Sequence, residues 1–308
     1  MNSVKEYIQK KEILNDLNEY LEGYVRPVIL VDSLIYEKYK KPLDALDCPI
    51  LFEYVAYESD VVIGMGGGRI MDQAKKFAYD FDLDCILIPT SLASDAPCTN
   101  VFVEDGQYIE CGCVEKVLVD ETILSSAPSR LLVSGIGDAL STYFESKYYD
   151  KPISMQVLSK SCFETLMTFG LQAVKDQKEG LISDAFSKTI EAILYMSGTV
   201  YGNSGPSLTH ALSSGFGNFT KSMHGEIVAY FLLVQLYLEN DSRIHELREL
   251  YKKIGLPLCS SDIGLRDAED EDLEYILLNS PRDGFNHFKK MLKNEDIVDA
   301  IRIVDAFE

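Results

Sequence analysis

Asp60-Val-Val-Ile-Gly-Met-Gly-Gly-Gly-Arg-Ile-Met-Asp-Gln-Ala-Lys75 reads as a strand that runs into a glycine turn and out into a helix. The apolar run Asp60 to Met65 has the length and composition of a buried strand, and Ile70 to Phe81 has a helical period. Gly66, Gly67 and Gly68 between them let the main chain pass close to a bulky anion, since no Cβ intervenes. The helix that follows offers unpaired N–H groups and the positive end of its dipole to a pyrophosphate. This is not the strict G-x-G-x-x-G spacing, so a tight turn that needs glycine only for steric reasons stands beside the nucleotide-binding reading.

Working outward, Val28 to Val31 is a short apolar run ending at Asp32, as expected of a buried parallel strand. Asp32 could accept hydrogen bonds from an adenosine ribose, and equally could cap the helix starting at Ser33. Pro49 to Val55 reads as a strand, and Cys85 to Ile88 as another ending at Pro89. Lys11 to Glu22 has a helical period. Strands alternating with helices predict an α/β domain with a mostly parallel sheet. Only about four residues separate the segments 49–55 and 60–65, fewer than the roughly 12 a helical crossover between adjacent parallel strands needs. Either one segment lies outside this sheet or the pair is antiparallel.

After about residue 122 the pattern becomes helix after helix: Val133 to Tyr149, Ser154 to Val174, Glu179 to Val200, Gly205 to Phe219, Gly225 to Leu238, Ile244 to Ile254 and shorter ones beyond. The expected organisation is a nucleotide-binding α/β domain over residues 1–122 and an all-α domain over 123–308.

The 308 residues are 46% hydrophobic and 25% charged, which is ordinary for a globular protein. The net charge of −20 argues against nucleic acid and anionic membranes as partners. The charged start is no signal peptide, and no apolar stretch approaches the roughly 18 to 20 residues of a membrane span. Seven cysteines, at 48, 85, 98, 111, 113, 162 and 259, are odd in number and irregularly spaced. They read as reduced thiols of a cytoplasmic protein. Cys111-Gly-Cys113 has no second pair at zinc-ribbon spacing and reads as two thiols on a strand or loop.

Of the four histidines, His245 and His287 sit among charged neighbours and read as solvated. His210, in Ser-Leu-Thr-His-Ala-Leu, and His224, in His-Gly-Glu-Ile-Val-Ala, lie in neighbouring predicted helices. Asp138, in Gly-Ile-Gly-Asp-Ala-Leu, lies near the start of the first helix of the second domain. One Asp and two His would give three ligands and an open position, as at a catalytic zinc. Spacing alone leaves ordinary helix histidines and a cap aspartate as the alternative.

Four segments in order resemble one family, the glycerol dehydrogenase branch of the iron-containing alcohol dehydrogenase and dehydroquinate synthase superfamily. They are Gly66 to Lys75, Ile88-Pro-Thr-Ser-Leu-Ala-Ser-Asp-Ala-Pro-Cys98, Ala127 to Glu145, and His210 to Ala229. The resemblance implies metal ligands Asp138, His210 and His224, and pyrophosphate contact at Gly66, Gly67 and Gly68. It implies nicotinamide-side contacts near Thr90 and Ala93 and ribose contact at Asp32, with Asp72, Lys75 and Thr99 among the cofactor-site residues. Asp95 matches a residue that contacts substrate or relays its proton. The implied cofactors are NAD and Zn²⁺. Iron-dependent relatives place a further histidine where this chain has Thr142, which favours zinc over Fe²⁺. The implied reaction is oxidation of a small polyol such as glycerol in the cleft between the domains, and larger assemblies, a homo-oligomer included, are common in the family.

The chain departs from the family pattern at Arg69, usually Lys, and in the shortened intervals 32–66 and 210–224 and the segment after Asp95. These departures keep two alternatives open: a dehydrogenase acting on a phosphorylated polyol, as in glycerol-1-phosphate dehydrogenases, and a non-catalytic metal- or nucleotide-binding relative.

Overall fold

Alternate residues of the central strands enter two separate cores, and this fixes how the molecule is layered. In the computed structural model, which describes residues 2–104, 107–149, 151–217, 219–265, 268–278, 280–281 and 292–307, six strands form one sheet. They are β1 (Glu6–Lys10), β2 (Pro27–Val31), β3 (Ile50–Leu51), β4 (Val61–Gly66), β5 (Asp84–Pro89) and β8 (Lys116–Asp120), in the order β1-β8-β5-β4-β2-β3. Every pairing is parallel. Val28, Leu30, Val62 and Leu87 face one core; Ile29, Val31, Ile63 and Ile86 face the other. Burying each such side chain contributes roughly 1.5 to 3 kcal/mol, so a strand apolar on both faces is held from both sides. β6 (Val101–Glu104) and β7 (Gln107–Glu110) form a separate antiparallel pair.

Helix α2 (Ser33–Asp44) carries the chain from β2 to β3, and α3 (Gly68–Phe81) from β4 to β5. The conflict over the segments 49–55 and 60–65 resolves in a third way. Both belong to the sheet and both are parallel, but they are not neighbours, because β2 lies between them. The expected strand at 49–55 shrinks to Ile50–Leu51, and the interval 32–66 does contain a crossover helix, α2. The helix expected over Lys11 to Glu22 is only a 3₁₀ turn, Ile13–Asp16, followed by one α turn, α1 (Leu17–Tyr20). Glu12, at φ 59°, sits in the left-handed region just before it.

The order of strands reverses between β2 and β4. The chain moves outward from β2 to the edge strand β3, then returns across β2 to β4 and on to β5. A crevice opens at such a reversal beyond the carboxyl ends of the strands. Asp32 and Gly66 stand on its two sides.

After β8 the described residues are helical or irregular: α4 (Glu121–Ser125), α5 (Ser129–Ser146), α6 (Ile153–Lys178), α7 (Asp184–Glu191), α8 (Gly198–Ser204), α9 (Leu208–Gly217), α10 (His224–Glu239), α11 (Arg243–Ile254), α12 (Asp270–Leu278) and α13 (Asn294–Asp305). Helix α10 is buried on every side from Gly225 to Leu236, so it forms the axis of the bundle, packed on α5 and α9. Two features of the helical half differ from expectation. The helix expected over Glu179 to Val200 begins at Asp184, and a π-helical turn, Ala192–Ser197, joins α7 to α8. His287 lies outside the described residues. No helix among the described residues is long and apolar enough to cross a membrane.

Candidate metal centre and active site

Asp138 on α5, His210 on α9 and His224 at the start of α10 converge. Their ligand atoms all lie within 4.8 Å of one another, the one such group of His, Cys, Asp or Glu among the described residues. Asp138 Oδ1 is 3.4 Å from His210 Nε2 and 3.6 Å from His224 Nε2. Tetrahedral zinc with bonds of about 2.0 to 2.1 Å separates its ligands by roughly 3.3 to 3.4 Å, so the donor set matches in type and spacing. Asp138 and His210 are buried, while the side chain of His224 is 47% exposed and opens the group to solvent.

Close backbone approach creates this convergence. A Cβ on Gly225 would lie 2.0 Å from the Ser134 carbonyl oxygen, so only glycine lets the start of α10 touch α5. Glu226, two residues beyond His224, accepts the Met223 amide at 2.9 Å and pairs bidentately with Arg130 of α5 at 2.6 and 2.8 Å. That pins the first turn of α10, and with it His224, to α5.

Glu145, two turns after Asp138 on the same helix, supports His210. Its carboxylate accepts from His210 Nδ1 and from the amides of Ser207 and His210 at 3.0 and 3.1 Å. A proton held on Nδ1 leaves the Nε2 lone pair for a metal, the usual task of a carboxylate behind a ligating imidazole. Burial disfavours a charged imidazole, but Glu145 and Asp138 outweigh it and raise the His210 pKa. Burial likewise penalises the Asp138 carboxylate, yet the two imidazoles and the Asp95 amide hold its pKa below the usual range. The electrostatics of the group thus favour a cation. Glu145 closes the Ala127 to Glu145 segment but is not among the expected ligands. The seven-residue interval from Asp138, which puts both on one helix face, was the available signal.

Asp95 is buried beside this group. Its carboxylate accepts the Ser197 hydroxyl at 2.7 Å, and burial with the nearby Asp138 charge raises its pKa to about 7. Thr142 points to Ser197, 2.8 Å between hydroxyls. Gly135 allows the loop carrying Asp95 to cross α5, since a Cβ there would lie 1.7 Å from the Leu92 carbonyl oxygen.

At the crevice the three glycines differ. A Cβ on Gly66 would meet Ile70 at 2.7 Å, so this glycine is demanded by the protein's own packing. A Cβ on Gly67 would find nothing nearer than Ser91 Oγ at 3.5 Å, and one on Gly68 nothing nearer than Ser94 at 3.9 Å. Those two leave room that the fold itself does not fill, at a helix start that no side chain caps. Asp32 caps α2 through Oδ1, 3.0 Å from the Ile35 amide. Thr90 sits beside the turn, its amide 2.9 Å from the Gly66 carbonyl, and Ala93 is half-buried in the same loop.

Lys75, Thr99 and Asp72 are turned to other tasks. Lys75 is buried, its ammonium bonded to the Thr99 hydroxyl at 2.8 Å and to the carbonyls of Ala96 and Val101. The Thr99 hydroxyl lies 3.1 Å from each of the same two carbonyl oxygens and shares its one proton between them. The pair ties α3 to the loop after Asp95 and supports the crevice from behind. Asp72 lines a cavity of about 600 Å³ with Tyr54, Arg69, Gln73, Lys76 and Phe102. Burial raises its pKa to about 6. Cys111 is half-buried, its thiol on the Asn100 carbonyl, and Cys113 is exposed; both are free.

Residues 12–128 match the model of the iron-containing alcohol dehydrogenase family. Over 278 residues the chain is 31% identical to the glycerol dehydrogenase of Thermotoga maritima, spanning 82% of this chain and 76% of that protein. The chain belongs to the iron-containing alcohol dehydrogenase family. Within that family its fold is that of the crystal structure of glycerol dehydrogenase from Schizosaccharomyces pombe, with a TM-score of 0.92 and 27% identity over 99% of this chain and 90% of that one. A probable glycerol dehydrogenase from Sinorhizobium meliloti superposes with a TM-score of 0.89, also at 27% identity, over 99% of this chain and 98% of that chain.

Proposed function

We propose that this member of the iron-containing alcohol dehydrogenase family is a metal-dependent, NAD-linked oxidoreductase that oxidises a secondary alcohol of a small polyol such as glycerol. One observation carries the reading: a single loop, residues 90–95, borders both halves of the site. Ser91 and Ser94 stand against the glycine turn at one end, and at the other the Asp95 amide bonds the Asp138 carboxylate.

Asp138, His210 and His224 would hold the cation, which when bound supplies Lewis-acid polarisation of a hydroxyl. Gly67, Gly68 and the first-turn amides of α3 would receive the pyrophosphate of NAD, the hydride acceptor. Asp32 has a second carboxylate oxygen for the ribose and disfavours a 2′-phosphate there. Thr90 and Ala93 would border the nicotinamide. Lys75 and Thr99 would act by holding the loop, and Asp72, whose carboxylate accepts the Val103 amide, by tying α3 to β6. Asp95 would take the hydroxyl proton from the substrate. Zinc is favoured over iron because Thr142, where iron-dependent relatives carry a histidine, is spent on Ser197. The seven free thiols suit a reducing cytoplasm.

The test is NAD⁺ reduction followed at 340 nm, with purified protein, added Zn²⁺ and a panel of diols and phosphorylated polyols, and a chelator control. Metal-dependent turnover of glycerol or a related diol is expected. Turnover that survives the chelator, or none with any alcohol together with no NAD(H) binding, would overturn the proposal.

A further inference from the structure

The rod from Asp184 to Ser204 is interrupted by a π-helical turn at Ala192–Ser197. Such a turn inserts an extra residue into a helix, persists only where other contacts hold it, and is frequent at functional sites. Its last residue, Ser197, is fully buried. The Ser197 hydroxyl donates its one proton to Asp95 Oδ2 at 2.7 Å, so the 2.8 Å bond to Thr142 is donated by threonine. The next residue, Gly198, lets the rod lie directly on the loop, since a Cβ there would be 2.6 Å from the Asp95 carbonyl oxygen. Without the inserted residue, Ser197 would turn by about 100° around the axis, away from Asp95.

Thr142 follows Asp138 by one turn on α5 and is also buried. The hydroxyl chain therefore ends on the helix that carries a proposed metal ligand. The Asp95 amide meanwhile bonds the Asp138 carboxylate, so the backbone of Asp95 is fixed to α5 and the Ser197 hydroxyl fixes its side chain.

We infer that Ser197 is a positioning residue for Asp95, set in register by the π-helical turn and anchored to α5 through Thr142. The inference rests on the role proposed above for Asp95.

The experiment compares Ser197→Ala, Thr142→Val and Thr142→Ser in the zinc-loaded protein, by steady-state kinetics, zinc-binding calorimetry, thermal unfolding and the crystal structure of Ser197→Ala. Ser197→Ala should lower kcat by about 10- to 100-fold, with the KM for NAD⁺ and zinc affinity within about twofold of the parent. Thr142→Val should give a smaller loss in the same direction, and Thr142→Ser should restore activity. In the crystal the Asp95 carboxylate should leave its present position. Asp95 unmoved in that crystal, or kcat, zinc affinity and melting temperature falling together, would overturn the inference. The crystallographic arm needs no turnover, so it stands apart from failure of the polyol reading, which would appear as an inactive parent protein.

Discussion

His210 is the residue on which the proposed chemistry turns, because it joins the open metal face to the Glu145 carboxylate behind it. His210→Ala should abolish metal-dependent turnover. Glu145→Gln keeps the shape but loses the carboxylate charge that faces His210 Nδ1, and should weaken zinc binding by about 10- to 100-fold, read by calorimetry. Equal zinc affinity in both variants and the parent would remove the metal assignment. Lys75 makes a separate prediction. Its buried amine gathers one hydroxyl and two carbonyls, so Lys75→Met, which takes that donor away, should destabilise the fold by on the order of 2 kcal/mol. Denaturant unfolding would measure this, and a loss below about 1 kcal/mol would mean that the ammonium does not hold the loop. Asp138, His210 and His224 could be named from sequence, but their meeting could not. It depends on the approach of α5 and α10 at Gly225 and Ser134, which no spacing reveals.

At the scale of elements, the glycine turn divides into a packing position and two open ones. Gly66→Ala should cost roughly 1 to 3 kcal/mol through overlap with Ile70. Gly68→Ala should leave stability nearly unchanged and weaken NAD⁺ binding at least about tenfold, or 1.4 kcal/mol. Thermal unfolding and NAD⁺ titration of the two variants would separate these effects, and the reverse pattern would contradict the cofactor reading. The strand–turn–helix was legible because β4 is apolar on both faces and α3 has a clear period. β1 was not legible. Glu6-Tyr-Ile-Gln-Lys10 is a half-exposed edge strand with no apolar run, and it pairs with β8, more than a hundred residues away. The π turn was equally hidden, since Ala192 to Ser197 reads as ordinary helix.

For the whole molecule, the sheet order resolves what local reading left open. The short path from β3 to β4 suffices because β3 is only two residues long, so residues 52–60 can make the return past β2 without a helix. A helix-by-helix reading recovered most of the second half because each helix buries a recognisable face, although α10 is buried all round and shows none. Stability should also carry a pH signature from Asp72. Its pKa is raised to about 6 by burial, so folding favours its protonated form. The stabilisation is complete below the unfolded pKa of 3.8 and is lost as pH rises through about 6. Asp72→Asn should therefore be most stabilising, relative to the parent, above pH 6. Denaturant midpoints at pH 4 and pH 7 would check the sign, and a larger advantage at the acid end would refute it.

The most direct measurement is anomalous diffraction at the zinc edge from crystals grown with Zn²⁺ and NAD⁺. One strong zinc peak is expected, bonded to Asp138, His210 and His224 at about 2.0 to 2.2 Å, with the NAD pyrophosphate over Gly67 and Gly68. Zinc bound elsewhere, or NAD density away from the glycine turn, would contradict it.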